Sequence, residues 1–186
     1  MPRYKLTEYE DASPETREVY DDFMRTTGAA SPPIWIKSLG HNGALARGYW
    51  ERAKGTLFSG HLPLPLKEMI VFVVSAEHGA RYCTACHAQC VLNLDKAIQY
   101  GDLQSFLQSK AGSLLPAYYH GVIKFARKVV SDPNGITDED LGELMDEGFS
   151  REEVTEIIGV IDMATMFNLY TSVTQLDLDP QYRAIL

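Results

Sequence analysis

The segment from Ser150 to Gln175 constrains the fold more than any other stretch of the chain. Ser150-Arg151-Glu152-Glu153 fits the capping box, in which a serine hydroxyl and a glutamate three residues later satisfy the free N–H groups of a helix start. A long helix from about Arg151 to Gln175 is therefore predicted. Its apolar residues fall on more than one face: Ile157, Ile158, Ile161 and Ala164, but also Val160, Met163, Met166, Phe167 and Tyr170. Such a helix cannot lie on a surface with one side in water. It must be buried, in a core or in a contact between subunits.

The remaining signals are helical too. Ser13-Pro14-Glu15 supplies an N-cap, a first-turn proline and a first-turn acid for a helix from about Pro14 to Thr26, closed near Gly28. Asn42 is placed to cap a helix carrying Ala46, Trp50, Ala53 and Leu57, and Gly60 with the Pro63/Pro65 pair breaks it. Leu115, Tyr119, Val122, Ala126 and Val129 mark a helix that stops before Pro133. Thr137-Asp138-Glu139-Asp140 caps a short one that ends at Gly148. The ambiguous stretch is Leu66–His78. Met69–Val74 is wholly apolar and β-branched enough for a buried strand, but no second convincing strand exists to pair with it. A buried helix is the consistent reading, and the expected fold class is all-α.

Composition bounds the function. The 186 residues suffice for one domain with a full core and no staples. A net charge of -8, with no Lys/Arg-rich run, argues against a nucleic-acid partner. The longest apolar run, Met69–Val74, falls far short of the ~18 residues of a membrane span. No apolar signal core follows the N-terminal residues, so the expectation is a cytoplasmic protein with no membrane partner.

Only three cysteines occur, Cys83, Cys86 and Cys90, all inside one window of eight residues. An odd, clustered set is not a disulfide framework. A helix beginning near Tyr82 or Cys83 puts the Cys83 thiol in its first turn, where free N–H groups and the helix dipole favour a thiolate. His87 follows one turn later on the same face, and Cys86 lies close enough for a disulfide. A thiolate beside an imidazole is the apparatus of thiol redox or nucleophilic catalysis. The competing reading makes each cysteine a small buried hydrophobe, and Cys90 taken alone fits packing best. Zinc held by three cysteines and a histidine is less favoured, because ligands on one short helical stretch do not easily surround a tetrahedral ion. His41, His61, His78 and His120 stand in no ligand-like spacing, and only His78 is near the window. Trp35, Phe72, Val73 and Tyr82 either shape a small pocket or fill the core.

On these residues the chain resembles the carboxymuconolactone decarboxylase superfamily, in particular its alkylhydroperoxidase AhpD-like, peroxidase-related branch. The resemblance runs from about Pro33 to Asp179. It implies an AhpD-like helical fold over residues 33–186, preceded by an N-terminal helical segment, residues 1–32, in one compact unit. It also implies an oligomeric helix bundle. The family motif is a Glu, a Cys twelve residues later, a second Cys three beyond, and a His four after that. Aligned on Val74-Ser75-Ala76 and Gly79, it places the Glu on Glu68, the second Cys on Cys83 and the His on His87. The first Cys falls on Ala80. The alternative register reads Cys83-Thr84-Ala85-Cys86 as the pair, and then puts Cys90 at the His and Val71 at the Glu. The first register keeps more of the pattern.

The implied activity is a thiol-dependent peroxidase without a cofactor or metal. Cys83 attacks hydrogen peroxide or a small organic hydroperoxide, Glu68 and His87 relay protons, and Cys86 is the candidate resolving thiol. An external thiol would be the reductant, and a homo-oligomer the expected assembly. Two other readings stand beside it. One is a lactone- or acid-processing enzyme that uses Glu68 and His87, with Arg81 as the nearest carboxylate anchor. The other is a helical oligomer that has lost its chemistry, for which Ala80 speaks.

Overall fold

The computed structural model describes residues 3, 5–109 and 115–183. These form nine α-helices with short 3-10 turns, and no strand occurs among the described residues. The helices are α1 (Pro14–Thr27), α2 (Ile34–Leu39), α3 (Gly43–Leu57), α4 (Leu64–Glu77), α5 (Arg81–Leu94), α6 (Tyr100–Ser109), α7 (His120–Ser131), α8 (Asp138–Asp146) and α9 (Arg151–Thr174). The starts lie where the caps place them. Ser13, Asn42, Thr137 and Ser150 each accept a backbone N–H three residues on, and the last two complete capping boxes. Two helices, α2 and α6, are not marked in the sequence. The six residues of α2 follow two prolines and are too few to display a period, and α6 bears no strong cap signal.

The all-apolar run at 69–74 is helical, as its lack of a partner strand implies. It lies in α4, whose residues Leu66 to Ser75 are all buried. This helix is the axis of the molecule, packed against α5, α9, α7 and α3. Its neighbour α9 is long and apolar enough to cross a membrane by length and composition. Here it packs on α3, α4, α5, α7 and α8, with Ile157, Val160, Ile161, Met163 and Ala164 in the core.

Two local features aim the site. Gly79, at φ 65°, turns the chain directly from α4 into α5, a left-handed conformation that costs a side-chain-bearing residue ~1–2 kcal/mol. The resulting hairpin lays α5 along α4. At the other end of α4, the buried ammonium of Lys67 donates to the Thr56 carbonyl at 2.9 Å and to the Ser59 carbonyl, and pairs with Glu156 at 3.2 Å. Glu156 also accepts the Leu62 N–H. The turn after α3 is thereby tied to both central helices.

Candidate active site

Glu68 stands on α4 and Cys83, Cys86, His87 and Cys90 on α5, and the hairpin brings the two sets together. Glu68 and His87, nineteen positions apart, share a hydrogen bond of 2.5 Å between a carboxylate oxygen and Nδ1. Both are largely withdrawn from solvent, at 7% and 16% side-chain exposure. Burial alone would pull the imidazole's pKa down. The Glu68 carboxylate and the Cys86 sulfur outweigh it and push His87 up to about 9.

The three thiols occupy different environments. Cys83 sits in the first turn of α5, but its side chain points into the core against α9, where Sγ lies 3.3 Å from the Thr171 hydroxyl. That hydroxyl has one hydrogen and directs it at the Phe167 carbonyl, 2.9 Å away. Cys83 is therefore the donor and keeps its proton. Burial pushes its pKa up to about 12. The helix dipole, which suggested a thiolate here, supplies ~0.3–1 kcal/mol at a typical site. Desolvating a charged sulfur costs several times that.

Cys86 is the thiol whose pKa falls. Its neighbour Cys90, first of all, and then the His87 cation and Tyr182 favour the thiolate, and together they exceed the opposing effect of burial. Cys90 is pushed the other way, first by its hydrogen bond to Cys86, then by burial and by the neighbouring Glu68. One thiol of the pair is poised to ionise and the other to hold its proton. Cys90, read from the sequence as packing, thus lies in the reactive cluster. The signal for it was its spacing of four from Cys86 on one helix face.

Two further residues, Asp179 and Tyr182, escaped the sequence reading. Asp179 accepts the Tyr82 hydroxyl at 2.5 Å and the Ile34 N–H at 3.0 Å, and the Tyr82 oxygen in turn lies 3.3 Å from the Trp35 N–H. This pins the segment after α9 across the mouth of the site and carries Tyr182 over Cys86. Nothing in the local sequence around Asp179 or Tyr182 marks them, because their partners lie about a hundred residues away. By contrast His78 and Glu77, both near the window, face elsewhere. His78 receives a hydrogen bond from Asn168 at 3.1 Å, and Glu77 pairs with Arg127 at 2.8 Å.

All three thiols, Glu68 and His87 border one cavity of about 650 Å³. Of the four flanking residues, Trp35 and Tyr82 line it, whereas Phe72 and Val73 are fully buried in the core. Glu68, His87 and Cys90 also bring an oxygen, a nitrogen and a sulfur within 4.8 Å of one another. A tetrahedral metal with bonds near 2.0–2.3 Å needs its ligand atoms ~3.3 Å apart or more. The 2.5 Å between Glu68 and His87 is a hydrogen-bond separation, so the set is arranged around a proton.

No family model and no curated protein sequence matches the chain. Solved structures do. The alkylhydroperoxidase AhpD core of a peroxidase-related protein from Ralstonia eutropha JMP134 superposes with a TM-score of 0.85 at 20% identity, over 97% of this chain and 94% of that one. A peroxidase-related protein from Silicibacter sp. TM1040 gives 0.79 at 22% identity, over 97% and 93%. The debrominase Bmp8, as a cysteine-to-alanine variant in complex with 2,3,4-tribromopyrrole, gives 0.78 at 20% identity, over 97% and 93%. The chain therefore has the AhpD-like all-α fold.

Proposed function

We propose that the protein is a thiol-dependent oxidoreductase that reduces hydroperoxides, with Cys86 as the attacking thiolate, Cys90 as the resolving thiol and Glu68–His87 as the proton relay. The observation that carries this reading is the convergence of Cys86, Cys90 and a hydrogen-bonded carboxylate–imidazole pair on one cavity, with the Cys86 thiol lowered and the Cys90 thiol raised. The fold shared with peroxidase-related proteins supports it. The attacking role moves from Cys83 to Cys86, because the desolvated Cys83 thiol donates to Thr171 and has no base beside it.

In this scheme Cys86 Sγ attacks the terminal peroxide oxygen and the O–O bond breaks. Cys86 becomes a sulfenic acid, and the departing alkoxide takes the His87 proton and leaves as an alcohol. Cys90 then attacks the sulfenic sulfur. An S–S bond forms, and the hydroxide lost from sulfur combines with the proton lost from Cys90 as water. Positions four apart on a helix lie within the Cα separation a disulfide tolerates. Two equivalents of an external thiol restore both cysteines.

Intact and peptide mass spectrometry after one equivalent of hydroperoxide tests the assignment. The expected product is a Cys86–Cys90 disulfide. Cys86→Ser abolishes peroxide consumption, whereas Cys83→Ser retains at least a third of it. A Cys83–Cys86 disulfide, or loss of activity in Cys83→Ser alone, would return the attacking role to Cys83.

A second reading is supported by the likeness to a debrominase. The same two thiols can deliver two electrons to an aryl halide, releasing halide while the ring carbon takes a proton from His87. Halide release from a bromoarene, with no hydroperoxide turnover, would select it.

A further inference from the structure

We infer that the cavity above Cys86 selects a neutral aromatic electrophile, and that neither hydrogen peroxide nor a carboxylate-bearing compound is its substrate. The inference rests on the proposed thiol chemistry at Cys86 and assigns the substrate class for that site.

Size is the first argument. A volume of about 650 Å³ lies within the ~300–1,000 Å³ of sites that enclose organic ligands of many heavy atoms. Hydrogen peroxide, with two heavy atoms, would leave almost all of that space as water against apolar walls.

The walls are the second argument. Phe58, Trp50, Phe23, Trp35 and Phe167 line the cavity and form a continuous chain of rings. Consecutive centroids are 6.3, 5.0, 6.1 and 5.0 Å apart, and the last three pairs meet edge to face. Edge-to-face packing fixes each ring and leaves faces and edges available to a further ring. These side chains come from α1, α2, α3, the turn after α3, and α9. Trp50 and Phe167 belong to the hydrophobic core and Phe23 and Trp35 pack against it, so the core itself presents this chain of rings to the cavity.

Charge is the third. The charged side chains bordering the cavity, among the described residues, already have partners. Lys37 is bound to Glu8 at 2.7 Å, Glu68 to His87 at 2.5 Å, and Asp179 to Tyr82 at 2.5 Å. The His87 cation is balanced by Glu68, and the hydrogen-bond partners of Asp179 are neutral, the Tyr82 hydroxyl and the Ile34 N–H. An entering carboxylate would lose its water and meet the Glu68 and Asp179 carboxylates with no free cation among the described lining residues to receive it. Arg81, the anchor a carboxylate-processing reading needs, is exposed and does not border the cavity.

The experiment has a kinetic and a binding arm. With dithiothreitol as reductant, kcat/KM is measured for cumene hydroperoxide, its para-carboxylate analogue and hydrogen peroxide. The expected value for cumene hydroperoxide exceeds each of the others at least fiftyfold, and Phe167→Leu and Trp35→Leu each lower those ratios at least fivefold. In the binding arm, Cys86→Ser chain is titrated with 2-naphthol and 2-naphthoate at pH 7 and followed by tryptophan fluorescence from Trp35 and Trp50. The neutral compound is expected to bind at least twentyfold more tightly. Equal turnover of all three peroxides, or equal binding of the two naphthalenes, overturns the inference even if the thiol chemistry is real. Selective binding of 2-naphthol without peroxide turnover upholds the cavity's preference and overturns the peroxidase reading.

Discussion

Cys83 and Cys86 are three residues apart on one helix, and the structure gives them opposite acidities. The difference comes from the direction each side chain takes. Cys83 faces α9, where its neighbour Thr171 has already committed its hydrogen. Cys86 has Cys90, His87 and Tyr182 as neighbours, which all stabilise negative charge. The coupled thiolate and imidazolium set the pH dependence. Cys86 is lowered from the ordinary thiol value and His87 is raised to about 9, so the pair Cys86⁻/His87⁺ is populated between them. The expected kcat/KM rises with pH as Cys86 ionises and falls again above about 9 as His87 loses the proton the leaving group needs. In His87→Asn, which has nothing to titrate, the falling limb disappears and the plateau is at least tenfold lower. A wild-type profile still rising at pH 10 would remove His87 from the proton relay.

At the scale of elements, the α4–α5 hairpin is the unit that builds the site. Glu68 lies in the second turn of α4, and His87 follows two turns into α5, so their meeting requires the two helices to turn back at Gly79 with little slack. A methyl group at Gly79 would meet nothing within 4 Å, so any cost of Gly79→Ala is the cost of its positive φ. The expected loss is about 1 kcal/mol, after part of the strain is offset by a stiffer unfolded chain. For a chain of this length that is a fall in Tm of about 2–4 °C, measurable by calorimetry. An unchanged or higher Tm would show that the turn tolerates a side chain there. The hairpin also exposes how far the sequence was readable. The helices and the nearness of Cys86 to His87 were legible from caps, periods and spacing, and Glu68 was reached only through the family resemblance. The rank order of the thiols was not, because a period shows which face a residue shares and does not show which neighbours that face meets.

Across the whole molecule, the cavity belongs to no one element. Its aromatic wall comes from helices at both ends of the chain, and its mouth is crossed by the segment holding Asp179 and Tyr182. On the outside, α9 leaves Ile158, Leu169 and Val173 largely exposed along its length, while its other faces fill the core. We propose self-association through this face, since Leu169 and Val173, on successive turns, are stabilised when removed from water. Light scattering on a size-exclusion column is expected to give a multiple of 20.8 kDa, and Leu169→Glu with Val173→Glu is expected to return the single-chain mass. A monomer for the unaltered protein would overturn the proposal. The sequence by itself determined that this chain is helical, that its central helices are buried, and that its three cysteines and His87 share one short window. Those properties are written in local pattern, through capping hydrogen bonds and the period of apolar residues. Only the tertiary structure decided that the Cys83 thiol is raised and the Cys86 thiol lowered, that Cys90, Tyr182 and Asp179 border the same cavity, and that a chain of rings lines it. Each of these depends on desolvation and on groups that meet across long separations, which no local spacing encodes.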